Sequence, residues 1–221
     1  MERARQCADD FGQGGSQELS IIFADSHLIA VNKPAGLLAV PGRGADKQDC
    51  LSVRLQQQFP DALIVHRLDM ATSGLMVFAR GIEMQRQLSY LFHERLVRKH
   101  YVAVVSGKPE PEAGEVSLPL AADWPNRPKQ KVDAITGRQS LTRYRLLGYD
   151  AVTNTSRLEL EPFTGRTHQL RVHMAAISHP IAGDRLYGGQ PAERLLLHAC
   201  ALSLAHPASG ANLVLESVPP F

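Results

Sequence analysis

The sequence predicts an α+β fold, on three observations. Short apolar runs of strand composition recur from Leu19 to the C-terminus. Only a few windows carry the 3.6-residue period of an amphipathic helix. The two kinds interleave irregularly, without the strand–helix alternation that builds a doubly wound parallel sheet.

Residues 1–18 are polar and Gly-rich, with too few apolar groups to offset the entropy of ordering, and are expected to form a disordered tail. Ser20–Ala24 and Leu28–Val31 read as paired strands, followed by a turn at Asn32-Lys33-Pro34-Ala35-Gly36. Cys50–Phe59 suits a helix that Pro60 stops. The apolar runs on either side of His66–Gly74 read as buried strands. Met84, Leu88, Leu91 and Phe92 then define one face of a helix over Ile82–Arg95. Strands are expected at Tyr101–Val105, Glu115–Leu118, Lys131–Ala134, Ser140–Leu147 and Arg157–Pro162. Thr167 is placed to cap a helix running to Ile177. Leu195–Leu204 and Asn212–Glu216 read as the last strands.

At 221 residues the chain can bury one substantial core, and residues 19–221 are expected to form a single domain. Lys and Arg number 24 against 22 acids, a net charge of +2, so any nucleic-acid site must come from local clustering. Such clusters occur at Arg95–His100, Arg127–Lys131 and Arg138–Arg145. Three widely spaced cysteines, Cys7, Cys50 and Cys200, suit a reducing compartment. With no apolar signal segment and no run approaching the roughly 18 apolar residues of a membrane helix, a cytoplasmic location and no membrane contact are expected.

Asp69 is a lone carboxylate in a polar turn between two buried strands, a rigid place for chemistry. A second motif, Gly165-Arg166-Thr167-His168-Gln169-Leu170-Arg171-Val172-His173, puts Arg171 at the edge of a helical face formed by Leu170, Met174 and Ile177. A guanidinium there should have a buried carboxylate partner. The five-residue step from His168 to His173 does not set both rings on one helical face, no Cys pair completes a metal site, and the Gly-rich segments lack the Lys-Ser/Thr of a phosphate loop. Neither a metal nor a cofactor is therefore expected.

The words His66-Arg67-Leu68-Asp69 followed by Thr72-Ser73-Gly74-Leu75, together with the Gly165–His173 motif, resemble the RluA family of pseudouridine synthases. The likeness extends from about Leu19 to the C-terminus and includes Asn32-Lys33-Pro34, His179–Gly188, Leu195–Ala199 and His206-Pro207, read chiefly as scaffold. It implies a mixed, largely antiparallel sheet in two halves flanked by helices, with the active site in a cleft across it. It implies that Asp69 is catalytic, that Arg171 pairs with it, that Arg67 fills the space left by a flipped nucleotide, and that Tyr101 stacks on the uracil. Arg127, Lys129, Lys131 and Arg166 are expected to contact RNA. The implied substrates are structured stem-loops, within the family most like those of members acting on both 23S ribosomal RNA and the tRNA anticodon stem-loop. A synthase for a single ribosomal site and a non-catalytic RNA-binding factor are the alternatives. An N-terminal S4-type domain, which many relatives carry, is not expected, and no feature points to an obligate protein partner.

Overall fold

The computed structural model describes residues 19–221, so the expected tail at residues 1–18 lies outside the described residues. Twelve strands and three α-helices run in the order β1 (Ile21–Ala24), β2 (Leu28–Lys33), α1 (Leu51–Gln58), β3 (Ala62–Ile64), β4 (Ser73–Arg80), α2 (Gly81–His93), β5 (Arg98–Ser106), β6 (Ala113–Ser117), β7 (Leu120–Ala122), β8 (Gln130–Val132), β9 (Leu141–Asp150), β10 (Thr155–Pro162), α3 (Gln169–Ala176), β11 (Leu197–Ala205) and β12 (Asn212–Glu216). Ten strands form one sheet along the path β1-β2-β4-β11-β5-β10-β9-β6, with β3 also on β4 and β12 also on β11; β7 and β8 form a separate ribbon.

Two halves meet where β4 lies beside β11. That pairing is parallel, through His198 opposite Ser73 and Ala199 opposite Gly74, whereas the other strand pairings described are antiparallel. The close approach depends on Gly74, whose φ is +113° and whose missing Cβ would collide with the Ala199 backbone. Beside it the Ser73 hydroxyl bonds His198 Nδ1 at 2.8 Å, His198 Nε2 meets Ser217 at 3.0 Å, and Arg194 also reaches Ser73. A buried seam of hydrogen bonds thus joins the halves directly behind the Asp69 loop.

The helices flank the first half on opposite faces. Leu51 and Leu55 of α1 pack with Ile29, Val31, Met76 and Phe78. Leu88 of α2 packs with Leu28, Ala30, Leu75 and Val77 on the other side. Residues Leu75–Ala79 of β4 are accordingly inaccessible to solvent, which is why that run reads as continuously apolar rather than alternating. In the second half α3 sets Leu170 and Met174 against Ala103, Leu158 and Leu160. Full burial of each such side chain is worth about 1.5–3 kcal/mol.

The expected elements are present, with one correction and one addition. Thr167 does not cap α3; His168 precedes the helix in a left-handed conformation, φ +54°, and makes no side-chain cap bond. The β7 strand and its ribbon with β8 are not predicted from the sequence, because Leu120-Ala121-Ala122 is short and two of its three residues are alanine, which has little strand preference.

Candidate active site

Asp69 sits in the loop between β3 and β4, and that loop is pinned from beneath. Lys33 at the end of β2 is fully buried, and its Nζ donates to the carbonyls of Pro34 and Leu37 at 2.8 Å and of Met70 at 3.1 Å. The Gly36 N–H also donates to the Met70 carbonyl. Burial lowers the Lys33 pKa to about 8, with the Asp69 charge working in the opposite direction. The expected scaffold role of Asn32-Lys33-Pro34 is therefore a specific one: three carbonyls converge on an ammonium that fixes the residue next to Asp69. His66 fixes the other end, since its Nε2 accepts the Val77 N–H at 2.9 Å while its ring stacks on Phe92.

The cleft over this loop has a volume of about 580 Å³. It is bounded by the Asp69 loop, the C-terminal end of α2, the start of β5, the end of β10 and the start of α3. Six cations line it, Arg67, Arg95, Lys99, Arg138, Arg166 and Arg171, and Asp69 is the one acidic residue among the described lining residues. The nearly neutral chain thus concentrates positive charge around a single carboxylate. Arg95 and Arg138 lower the Arg166 pKa after burial has done so, and Arg95 adds to the burial that holds Lys99 near about 8.

Of the residues expected to converge, Asp69, Arg67, Tyr101, Arg166 and Arg171 all line this cleft. Arg67 is exposed and makes no side-chain hydrogen bond among the described residues, leaving its guanidinium at the mouth. Tyr101, on β5 opposite Ala199 of β11 and Leu160 of β10, packs against both halves. Burial first, and the Asp69 charge second, push its phenol well above the usual tyrosine range, so it stays protonated.

Arg171 departs from the expectation in its main partner. Its Nε and one terminal nitrogen bond the two oxygens of Asp184 at 2.7 and 2.8 Å, and only its other terminal nitrogen approaches Asp69, at 3.6 Å. The buried carboxylate partner is Asp184, whose side chain is wholly inaccessible and which also accepts the N–H groups of Leu186 and Tyr187. Asp184 falls in the His179–Gly188 segment expected to be scaffold, and nothing local in the sequence marks it as the partner of Arg171.

The rest of the Gly165–His173 motif divides between scaffold and site. Gln169 accepts from Thr164 Oγ1 and the Arg166 N–H, and donates to Leu141 and Thr142. His173 bonds Thr142 and Ser140. These buried contacts wire α3 to β9. His168 turns the other way, with Nε2 at 3.8 Å from Asp69 and Nδ1 at 2.7 Å from the Tyr187 hydroxyl, so the two histidines face different surroundings, as their spacing suggested.

Arg127, Lys129 and Lys131 do not line the cleft. They lie on the β7–β8 ribbon, where Arg127 stacks 3.3 Å over the exposed Trp124 ring and Lys131 pairs with Asp133 at 3.2 Å. The ribbon nevertheless touches the site, because the Gln130 N–H donates to the Tyr187 hydroxyl at 2.8 Å.

Away from the cleft, Asp25, His27 and His206 bring potential ligand atoms within 4.8 Å of one another. His206 Nδ1 accepts the N–H groups of Ala208 and Ser209, so its proton resides on Nε2, which donates to Asp25 at 2.8 Å. The cluster clasps two turns together, and the donating Nε2 has no lone pair for a metal.

A family model described as RNA pseudouridylate synthase matches residues 27–176. The chain belongs to this family. It is 49% identical over 207 residues to the dual-specificity RNA pseudouridine synthase RluA of Escherichia coli K12, covering 92% of this chain and 94% of that protein. It is 50% identical over 195 residues to RluA of Vibrio cholerae, covering 86% and 79%. Among solved structures, human RNA pseudouridylate synthase domain containing 1 superposes with a TM-score of 0.77 at 28% identity, covering 96% of this chain and 87% of that one. Human RNA pseudouridylate synthase domain containing 4 gives 0.73 at 28% identity, covering 91% and 88%. The enzyme class and the α+β pseudouridine synthase fold expected from the sequence are thereby shown. No helix among the described residues is long and apolar enough to cross a membrane.

Proposed function

We propose that this chain isomerises uridine to pseudouridine in RNA stem-loops, acting on both 23S ribosomal RNA and the tRNA anticodon stem-loop as the dual-specificity name of its relatives suggests. The observation that carries the reading is the single carboxylate, Asp69, in a cleft whose other charged lining residues are six arginines and lysines.

The reaction breaks the N1–C1′ bond of the nucleoside, turns the freed uracil and joins its C5 to C1′, the C5 hydrogen leaving as a proton while N1 takes one up. The base must first leave its stack, at a cost of a few kcal/mol that is smaller in a loop than in a duplex. Arg67 at the cleft mouth is suited to occupy the vacated space, while Arg95, Lys99, Arg138 and Arg166 are suited to bind the flanking phosphates. Asp69 acts at the glycosidic bond. Tyr101 offers a flat face that holds the plane of the ring yet allows it to turn within that plane. Arg127, Lys129 and Lys131 extend the RNA surface along the ribbon. Cys50 and Cys200 are free thiols, which supports a cytoplasmic setting.

Transcriptome-wide mapping of pseudouridine in cells lacking the protein tests the substrate reading. Loss at one ribosomal position and in a set of tRNAs is expected. Loss at a ribosomal site alone would support the single-site alternative, and no loss at either would contradict the proposal.

A further inference from the structure

We infer that His168 and Tyr187 form a positioning relay that orients the Asp69 carboxylate and anchors it to the backbone of the β7–β8 ribbon; the inference rests on the reading of Asp69 as the reacting group.

The direction of the relay follows from donor and acceptor chemistry. The Gln130 N–H can only donate, so the Tyr187 oxygen accepts it, at 2.8 Å. The relay directs the Tyr187 hydrogen at His168 Nδ1, 2.7 Å away, which then supplies a lone pair. That places the imidazole proton on Nε2, the nitrogen that faces Asp69 Oδ2 at 3.8 Å. Burial lowers the His168 pKa despite the nearby Asp69 charge, in keeping with a neutral ring.

Arg171 approaches the same oxygen, Oδ2, at 3.6 Å, and its guanidinium lies 5.2 Å from the centre of the Tyr187 ring. Two donors thus face one carboxylate oxygen. The relay leaves Oδ1 free for substrate. A backbone cost supports the assignment: His168 holds φ at +54°, a left-handed conformation unfavourable for a non-glycine residue that persists where surrounding structure enforces it. The strained turn sets the ring between Asp69 and Tyr187, and the ribbon anchor falls between Lys129 and Lys131.

The test is a double-mutant cycle read by single-turnover tritium release from 5-tritiated uridine in a tRNA anticodon stem-loop, with RNA Kd measured alongside. Tyr187→Phe keeps the ring beside Arg171 and removes only the hydroxyl; it and His168→Ala should each slow turnover about tenfold, as expected when the reacting carboxylate is no longer held in its orientation, with Kd changed less than about threefold. The double variant should be no slower than the slower single variant, because both break the same chain. His168→Gln, which returns a donor, should recover part of the rate. Wild-type turnover in Tyr187→Phe, losses that multiply, or effects confined to Kd would overturn the relay. Asp69→Asn, run in parallel, separates the two claims: if it retains turnover the reading of Asp69 itself fails, whereas an inactive Asp69→Asn beside unaffected His168 and Tyr187 variants removes the relay alone.

Discussion

Arg171 grips Asp184 through two hydrogen bonds at 2.7 and 2.8 Å and meets Asp69 only at 3.6 Å. The bidentate pair is buried on both sides and builds the wall of the cleft, while the Asp69 side chain remains 28% exposed toward the substrate space. One guanidinium therefore serves two carboxylates with separate duties.

Removing either member of the buried pair should unfold the wall. Arg171→Ala or Asp184→Asn is expected to cost about 3–5 kcal/mol in urea denaturation, since each leaves the other charge buried without its partner. Asp69→Asn, whose side chain is partly solvated, should stay within about 1 kcal/mol of wild type. Equal losses for Asp69→Asn and Asp184→Asn would contradict this division.

Lys33→Met should also destabilise, for a different reason. It removes the ammonium shared by the carbonyls of Pro34, Leu37 and Met70 and leaves the last with the Gly36 N–H alone, each lost hydrogen bond to the charged group being worth about 1.5–3 kcal/mol. Because the Met70 carbonyl adjoins Asp69, amide hydrogen exchange of the loop should rise in the variant; unchanged exchange there would show that Lys33 does not hold it.

Acid should begin to weaken the fold near pH 6.5, above the ordinary carboxylate range. Burial lowers His66 to about 3 and His198 to about 4 from the ordinary 6.5, and lowers His173 as well. Between those values and 6.5 the unfolded chain binds more protons than the folded one, so this stability is fully present above pH 6.5 and is lost as pH falls toward 4 and then 3. The urea midpoint should drop across that window, and His66→Gln should flatten the slope. A midpoint constant from pH 7 to pH 4 would refute the assignment.

The cations around the cleft should report themselves in salt dependence. Neutralising Arg166 or Lys99 is expected to reduce the slope of log K against log salt for RNA binding by about 0.7 per lost phosphate contact. Turnover at saturating RNA should fall less than affinity does. A slope that matches wild type would place the phosphates elsewhere.

Much of the architecture was legible because it rests on local pattern. The β4 run is apolar without alternation because α1 and α2 cover both of its faces, and the four-residue spacing of Met84 and Leu88 follows from the α2 face that packs on the sheet. Asp69 stood out because it is a lone carboxylate between buried strands. Tertiary pairing was harder to read. Asp184 lies 13 positions from Arg171 in a loop with no periodicity, and its choice over Asp69 depends on how that loop folds against α3. His168 gives no local sign of its left-handed turn, and Thr167, a good cap by type, is left exposed when the chain turns there. The Arg127–Lys131 cluster was visible as charge, but its seat on a ribbon outside the cleft depends on the β7–β8 pairing.

The central claim is that Asp69 performs the chemistry in a site that binds RNA without it. It is tested most directly by purified Asp69→Asn in single-turnover tritium release from a 5-tritiated stem-loop, with RNA affinity measured on the same preparation. The account predicts no detectable release, Kd within about tenfold of wild type, and an unfolding midpoint close to wild type, since the cations and the Arg171–Asp184 pair remain. Substantial release of tritium by the variant would contradict it.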